Sequence, residues 1–546
     1  MMKKVLLSML AIVVSMTITA GNVTPDEALQ KATFFVQNRM AKGDGPRLAP
    51  GVAPRLTMAG KVCGLFVFNV QDEGGYVIVS PDDRTEAILG FSDSGHLDLN
   101  NIPDNMREWL QGYADEIAML NENGQQTSGS TPRMAPEAAG KTNIPPIVSA
   151  HWDQFGAYNL STPTQGGDHT LTGCMAVAMS QAMNVFKHPS SVTKDIPGYT
   201  TRTENLTVNP VYAGTPINWS NIQDAYGWYN YDGSGWVEAT YTNAQAIAVS
   251  NLMLYCGASL GMDYGLSYSG ANTVDVASGL TKYFDYEKNT TMFLVRSGYT
   301  DANWIDILYH ELSKGRPIVY SGSGNGGHGF ICDGYKTGDY FHFNWGWSTM
   351  GSDGYYLLNG LNPNNTSYNF NNNNQAVIGI QPTGNGGSVS NKVFQAEDET
   401  IRLIDVVATP DPVHPNDALT ITATVQNLTK TTLNSYVIFV EQPRNSFNYN
   451  DCVEFTLASG AIAEVSKTVT APSSEGELIY QIIGASGGYW TLLGLSDPIT
   501  VSNSATGIDS LTPDTNGDEN WYDLSGRRVE NPTNGIFIYK GKKVKR

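Results

Sequence analysis

The stretch TGCMAVAM, residues 172–179, places a thiol where a loop becomes a helix. Upstream, residues 165–169 (QGGDH) have a composition that does not favour a regular element, whereas residues 175–187 contain no Gly or Pro. Cys174 is therefore predicted in the first turn of a helix, where unpaired N–H groups and the helix dipole favour the nucleophilic thiolate. A buried structural cysteine is the alternative, and this stretch alone leaves the two even.

A second stretch supplies a base. Residues 326–335 (GGHGFICDGY) and 340–347 (YFHFNWGW) are predicted to form two strands of a hairpin, because both are dense in aromatic and apolar residues and a turn sequence joins them. The glycines beside His328 leave its imidazole accessible and allow close approach of a peptide backbone. A Cys at a helix start and a His on a distant strand form the nucleophile–base arrangement of cysteine hydrolases. For His328 alone, a hydrogen-bonded core histidine is the alternative.

Together with further motifs, these residues resemble the streptopain-like secreted cysteine peptidases, a branch of the papain-like fold that includes the interpain-type enzymes of Bacteroidales. The motifs agree in order and spacing from about residue 145 to 380: HWDQ (151–154) with YNL (158–160), TGC (172–174), MDYG (262–265), GGH (326–328), and NWGW (344–347) with SDG (352–354). Each motif alone is weak, but the set is specific. The resemblance implies an α+β fold with a papain-like catalytic domain over residues 141–382.

By this resemblance, Gln154 is the oxyanion-hole glutamine. Its side-chain amide and the backbone N–H of Cys174 would stabilise the negative oxygen on the attacked carbonyl, each donor contributing about 3 kcal/mol in comparable sites. Gly270, Ser269 and Gly327 would offer backbone groups to an extended peptide, in the manner of an added strand. The alignment leaves Ser269 and Gly270 uncertain by one residue, and a surface loop is the alternative. No metal or organic cofactor is required.

Asn344 and Trp345 compete for the role of holding the imidazole of His328. If a four-residue turn joins the strands, Trp345 lies on the same face of the hairpin as His328. A single bulge near a glycine of the first strand would bring Asn344 to that face instead. Both residues stay candidates, with Trp345 ranked first as a packing lid. His169 and His342 are rival bases and rank below His328.

The N-terminal region contains two predicted segments. Residues 1–20 have the basic start and short apolar run of a secretory signal peptide, too short for a membrane span. Residues 22–140 are predicted as an α+β prodomain, and they resemble the family's inhibitory propeptide; an accessory domain is the alternative. The predicted elements are a helix capped by Thr24 with Glu27 three residues later, strands at 63–70 and 75–80, a short strand ending at Phe91, and a helix at 103–120. A polar linker, residues 121–139, would be easy to cleave.

The C-terminal region is predicted to contain no catalytic residues. Short apolar runs separated by turn clusters within residues 395–502 indicate an antiparallel, Ig-like β-sandwich, interpreted as a spacer or adhesive module. Residues 510–546 end in a basic sequence and resemble the C-terminal sorting domains of type IX secretion cargo; two unrelated strands are the alternative.

Composition excludes several function classes. The formal charge of -19 and the pI of about 4.8 argue against nucleic acid as a partner. The five cysteines are dispersed and contain no CxxC pair, which fits neither a disulfide framework nor a zinc site. Pairing of Cys256 with Cys332 stays open at this point.

These observations predict a cysteine endopeptidase, secreted or at the cell surface and made as a zymogen. Its partners would be protein or peptide substrates, its own propeptide as inhibitor, and the export machinery that reads the C-terminal tail. Two alternatives share the fold: an acyltransferase or amidase that uses the same nucleophile and base, and a catalytically inert surface adhesin. The presence of Cys174, His328 and Gln154 together argues against the inert alternative.

Overall fold

The computed structural model describes most of the chain, namely residues 21–46, 48, 52–122, 140–230, 235–322, 328–348, 352–359, 374–441, 452–486, 489–503 and four short strands between 521 and 545. The predicted signal peptide, linker residues 123–139 and Gly327 lie outside these ranges. Within them, no helix is long and apolar enough to cross a membrane. The same residues contain no group of three His, Cys, Asp or Glu side chains that could hold a metal ion.

The N-terminal region folds as two helices and four strands. Its elements are α1 (Pro25–Lys42), β1 (Leu56–Val62), β2 (Leu65–Val70), β3 (Tyr76–Val79), β4 (Ile88–Ser92) and α2 (Asp104–Glu122). The capping box predicted at the start of α1 is confirmed, since the backbone N–H of Glu27 donates to the Thr24 hydroxyl at 3.3 Å and the Glu27 carboxylate accepts from the Thr24 N–H at 2.8 Å.

The central region contains four longer helices among short strands. Its strands are β5 (Thr164–Gln165), β6 (Asp168–His169), β7 (Tyr199–Thr200), β8 (Thr207–Val208), β9 (Gly227–Tyr229), β10 (Val237–Ala239), β11 (Met292–Val295), β12 (Ile318–Gly322), β13 (His328–Lys336), β14 (Tyr340–Asn344), β15 (Gly354–Tyr356) and β16 (Gln375–Ile378). Its helices are α3 (Cys174–Phe186), α4 (Asn243–Ser259), α5 (Thr273–Tyr283) and α6 (Asp301–Ser313). The expectation of no regular element at 165–169 is wrong in detail, because β5 and β6 pair as a hairpin across Gly166 and Gly167, both of which have positive φ.

One ten-stranded sheet runs through both regions, in the order β1-β2-β3-β4-β15-β14-β13-β12-β16-β11. The two regions meet where β4 pairs antiparallel with β15, with Phe91 opposite Tyr355 and Gly90 opposite Tyr356. The N-terminal region is therefore joined to the central region by backbone hydrogen bonds.

The two faces of this sheet bury separate cores. Helices α3, α4 and α5 pack with Ile331 on one face, while α2 and α6 pack with Phe330 and Cys332 on the other. Successive residues of β13 alternate between the cores because side chains alternate across a strand. Cys256 lies in the first core and Cys332 in the second, and all five cysteines are free, so the Cys256–Cys332 pairing left open above is not formed.

The C-terminal region confirms the predicted β-sandwich. Its strands are β17 (Ile401–Thr409), β18 (Ala418–Asn427), β19 (Leu433–Glu441), β20 (Cys452–Leu457), β21 (Ile462–Thr470), β22 (Gly476–Leu478), β23 (Tyr480–Ser486), β24 (Tyr489–Leu495) and β25 (Ile499–Val501). The sheets β17-β18-β21 and β20-β19-β23-β24 share one apolar core. Arg402 connects the sandwich to the central region by donating to the Thr291 carbonyl at 3.0 Å, and burial lowers its pKa to about 10. Four strands follow, β26 (Trp521–Tyr522), β27 (Arg528–Val529), β28 (Ile536–Tyr539) and β29 (Lys542–Lys545), and form a separate sheet.

Candidate active site

Cys174 is the first residue of α3, as predicted. The preceding Gly173 has φ 88°, a conformation that residues with a side chain rarely adopt. A Cβ there would also lie 2.6 Å from Sδ of Met262 and 3.0 Å from the carbonyl oxygen of Ser269. Gly173 is therefore required for the loop around Ser269 to approach the start of the helix.

The strand that begins with His328 passes directly beside Cys174. The backbone N–H of Gly329 donates to Sγ of Cys174 at 3.3 Å. A Cβ on Gly329 would lie 2.6 Å from Sδ of Met175, which is closer than real Cβ contacts allow. The glycine after His328 thus leaves room for the Met175 side chain where α3 and β13 meet, and this meeting brings two predicted site residues together.

Gln154 is held beside the same helix start. Its carbonyl oxygen accepts from the Thr172 N–H at 3.1 Å, and its own N–H donates to Oδ1 of Asp153 at 2.7 Å. Gln154 is buried, and its backbone is bonded two residues upstream of Cys174. This arrangement brings the predicted oxyanion-hole glutamine next to the predicted nucleophile.

The imidazole of His328 contacts the prodomain. Its Nε2 lies 3.9 Å from Oε1 of Glu108, on helix α2, and both side chains are mostly buried. Among the residues that the structure describes, the His328 imidazole makes no hydrogen bond to Sγ of Cys174. The predicted nucleophile and base therefore belong to segments that touch in space, but their side chains are not hydrogen-bonded to each other in this structure.

Helix α2 lies over this part of the sheet. The Asn105 amide donates to the Trp345 carbonyl at 2.7 Å. The Trp109 ring packs edge-on against Phe343 and Phe330, with centroid separations of 4.9 and 5.9 Å. Asn105, Glu108 and Trp109 thus face the site from one helix; Glu108 was not foreseen, because nothing in the sequence distinguishes it from other surface glutamates.

The environment of Cys174 does not favour the thiolate in this structure, contrary to the expectation from the helix start. Burial raises the pKa of the Cys174 thiol. The hydrogen bond from Gly329 lowers this pKa, but by less, and the carboxylate of Glu108 raises it further. With α2 in place, burial outweighs the helix terminus, and the thiol form is favoured.

The hairpin register fixes the sheet faces on which Asn344 and Trp345 lie. Tyr335 pairs with Phe341, so the turn is one residue shorter than expected, and a bulge at Asp333 shifts the register back. The two offsets cancel, and Ile331 lies opposite Asn344. Because side chains alternate across a strand, Trp345 then lies on the same face of the sheet as His328, whereas Asn344 lies on the opposite face.

The contacts of these two side chains agree with the register. The Asn344 amide donates to the Ala150 carbonyl at 2.9 Å and its oxygen accepts from the Gly346 N–H at 3.1 Å, so both of its polar atoms are used away from His328. Trp345 is buried against Phe330, with centroids 4.7 Å apart. In this structure Asn344 therefore supports the Trp345 segment, and the role of imidazole partner remains a prediction for Trp345, ranked first, and for Asn344.

The predicted substrate loop borders Cys174, but the Gly270 backbone and the Ser269 hydroxyl are already engaged. The Gly270 N–H donates to the Asp263 carbonyl at 3.2 Å, and the Asp263 N–H donates back at 2.9 Å. The Ser269 hydroxyl donates to the Leu171 carbonyl at 2.9 Å. In this structure neither the Gly270 N–H nor the Ser269 hydroxyl is available to a peptide, and Gly327 lies outside the described residues.

The rival histidines have other partners. Nδ1 of His342 lies 2.6 Å from Oδ1 of Asp333. Burial is the largest single influence and lowers the pKa of His342, but the charge and hydrogen bond of Asp333 together with the charge of Asp353 outweigh it, so the net shift is upward. Nδ1 of His169 lies 2.9 Å from the Thr162 carbonyl. These contacts give both histidines a structural role.

Comparison with known proteins assigns the family. The profile of the peptidase C10 family matches residues 152–356, and that of the Spi protease inhibitor matches residues 20–117. Streptopain of Streptococcus pyogenes is 30% identical over 386 residues, covering 65% of this chain and 91% of streptopain. The thiol protease/hemagglutinin PrtT of Porphyromonas gingivalis is 30% identical over 387 residues, covering 67% of this chain but only 42% of PrtT.

Among solved structures, a fragment of Prevotella intermedia prointerpain A is 30% identical, with a TM-score of 0.49, and covers 61% of this chain and 100% of the fragment. The streptopain match extends over nearly the whole of that relative, and the inhibitor profile coincides with the region that carries α2. With a cysteine at the start of α3 and a histidine strand beside it, the chain belongs to the peptidase C10 family of streptopain-like cysteine endopeptidases.

Proposed function

We propose that the protein is a secreted zymogen that hydrolyses peptide bonds through Cys174 and His328. The observation that carries the proposal is the 3.3 Å contact between the Gly329 N–H and Sγ of Cys174, which brings the start of the histidine strand against the thiol. Gln154, bonded beside the same helix start, is the proposed second oxyanion donor.

The proposed reaction follows from these positions. The Cys174 thiolate attacks the peptide carbonyl and forms a thioester, and the imidazolium of His328 protonates the leaving amine. The Cys174 N–H and the Gln154 amide stabilise the oxyanion, and water activated by His328 then hydrolyses the thioester. Trp345 is the proposed packing partner of the imidazole.

Latency is proposed to come from α2. Its Glu108 faces His328, and its position over the sheet accompanies burial of the Cys174 thiol. Removal of this helix would expose the thiol and free the imidazole, so both groups would gain the contacts that the reaction needs. Cleavage within the linker at 121–139, export through the segment at 1–20 and sorting through residues 510–546 belong to the same proposal.

The test is alkylator-sensitive cleavage of casein by the activated protein. Cys174→Ala and His328→Ala should each lower the rate at least about 1,000-fold, because both groups act in the same steps. Cys452→Ala and His169→Ala are matched controls outside the proposed machinery and should keep most of the activity. Substantial cleavage by purified Cys174→Ala would refute the assignment.

Export is tested separately. Deletion of residues 510–546 should leave the purified enzyme active but retain it in the periplasm of its native host. Normal appearance of the truncated protein outside the cell would show that the tail is not a sorting signal.

A further inference from the structure

Two tryptophans stand out from the others by their exposure. Trp228 and Trp236 are 58% and 59% exposed, whereas the other tryptophan side chains that the structure describes are buried or partly buried. Single exposed apolar residues are ordinary, but neighbouring exposed aromatic rings indicate an interaction surface.

Both indoles lie on the same face of one hairpin. In the pairing of β9 with β10, Trp228 is opposite Glu238 and Tyr229 is opposite Val237. Trp236 immediately precedes β10, and continuing the strand alternation by one residue puts it on the same face as Glu238 and therefore as Trp228. Continued in this way, the pairing makes the two tryptophans diagonal neighbours, a separation that aromatic side chains can span.

The hairpin is attached to the proposed active site. The Asn230 N–H donates to the Ser348 carbonyl at 2.6 Å, three residues beyond Trp345. The Tyr229 ring stacks on His151 with an interplanar angle of 11°. The Ser348 hydroxyl also donates to the carboxylate of Asp153, the residue before Gln154, at 3.4 Å. The exposed indoles therefore lie on a hairpin that is attached to the two segments carrying Gln154 and Trp345.

The position of the hairpin suits the part of the substrate that follows the scissile bond. The loop with Ser269, predicted above to bind an extended peptide, borders Cys174 through Gly173, and we assign the acyl part of the substrate to it. The leaving amine must reach His328, the first residue of β13. Strand β14 pairs with β13 and ends at Asn344 near the start of β13. We therefore assign the residues after Asn344 to the side of the site that holds the leaving amine. A chain leaving the site in this direction passes towards the hairpin attached at Ser348.

We propose that Trp228 and Trp236 form a binding surface for an apolar side chain of the polypeptide substrate on the C-terminal side of the scissile bond. Glu238, exposed on the same face, disfavours an acidic residue at that position. The inference rests on the proposed function, because it places the surface relative to Cys174 and His328. The substrate class is thus polypeptide with apolar residues beyond the cleaved bond.

The test compares two kinds of substrate on the mature enzyme released from the full chain. Both carry the same residues before the scissile bond. One ends in a coumarin leaving group and has no residue beyond the bond, whereas the other is a quenched peptide with Leu and Phe, or Gly and Asp, beyond it. Trp228→Ala and Trp236→Ala are measured singly and together, and Tyr212→Ala, 63% exposed in the same region, is the matched control.

The double substitution should lower kcat/KM for the Leu–Phe peptide at least tenfold and bring the ratio of the two peptides to about 1. Coumarin release should not change, because that substrate does not reach the hairpin, and Trp228→Phe with Trp236→Phe should restore most of the preference. Tyr212→Ala should change neither substrate.

Each failure has a separate meaning. If the unsubstituted enzyme releases no coumarin in an alkylator-sensitive way, the proposed function fails. If coumarin is released but the peptide preference survives the double substitution, the tryptophan surface is refuted. An equal loss of kcat/KM on the coumarin substrate and the peptide would identify a general structural effect and would also refute the tryptophan surface. A change from dimer to monomer in sedimentation, with the preference intact, would assign the surface to self-association instead.

Discussion

Replacement of Trp109 by Ala should weaken the attachment of α2 to the sheet without unfolding the N-terminal region. The Trp109 ring contacts Phe343, Phe330 and Tyr320 at centroid distances of 4.9, 5.9 and 6.0 Å. Its remaining ring contact, with Tyr113, lies within α2 itself. Most of the packing lost would therefore be packing between the prodomain and the central region.

Truncation of a buried tryptophan to alanine costs about 3 to 5 kcal/mol. We take the lower value because the contact with Tyr113 is internal to the helix, and about 3 kcal/mol corresponds to an opening equilibrium roughly 100-fold more favourable. On the Cys174→Ala background, which should not process itself, amide hydrogen exchange in residues 104–122 should quicken by about that factor.

Phe34→Ala is the control, because this side chain on α1 is 62% exposed and its loss should leave α2 protected. With Cys174 intact, Trp109→Ala should also shorten the lag before activity appears. Unchanged exchange in residues 104–122 would refute the view that Trp109 holds the helix down. Equal loss of protection from exchange in α1 would show that the substitution unfolds the whole N-terminal region and not α2 alone.

Two further predictions concern the central region. Gly329→Ala should lower kcat/KM about 100-fold, because a methyl 2.6 Å from Sδ of Met175 forces either the buried Met175 side chain or β13 to shift beside Cys174. Gly329→Ala with Met175→Ala should recover much of the loss, and failure to recover would argue against the steric explanation. The His342–Asp333 pair should stabilise the fold below the ordinary histidine pKa of 6.5 and lose this effect as pH rises through the raised pKa of His342. The urea midpoint of the protein should therefore exceed that of His342→Gln by more at pH 5.5 than at pH 9, and a difference that grows with pH would contradict the sign of the shift.

Local signals in the sequence were sufficient for the chemistry-bearing elements. The start of α3 at Cys174 follows from a glycine-rich segment before a Gly-free and Pro-free one, and the hairpin with His328 follows from two aromatic strands around a turn. The register of that hairpin was harder, because the shorter turn and the bulge at Asp333 each shift it by one residue. Their cancellation depends on tertiary contacts that no sequence window contains.

The relation of the prodomain to the site could not be predicted in the same way. The pairing of β4 with β15 is made by backbone groups, which carry no signature of their partner. Glu108 approaches His328 only because two regions about 200 residues apart dock together, and in the docked state its carboxylate also raises the pKa of the Cys174 thiol. The helix start predicted the position of the nucleophile, whereas its ionisation depends on what covers it.

The continuous sheet has a consequence for the order of events in maturation. Cutting the linker breaks one covalent connection, but it leaves the β4–β15 pairing and the packing of α2 unchanged. Before the cut, the linker keeps the prodomain at a high effective concentration near the site. After the cut, the dissociation rate of the prodomain sets how fast it leaves, and its affinity for the central region and the total protein concentration set how much of it leaves. A cut band on a gel should therefore appear before activity. Dilution of freshly cut protein should release activity without any further proteolysis.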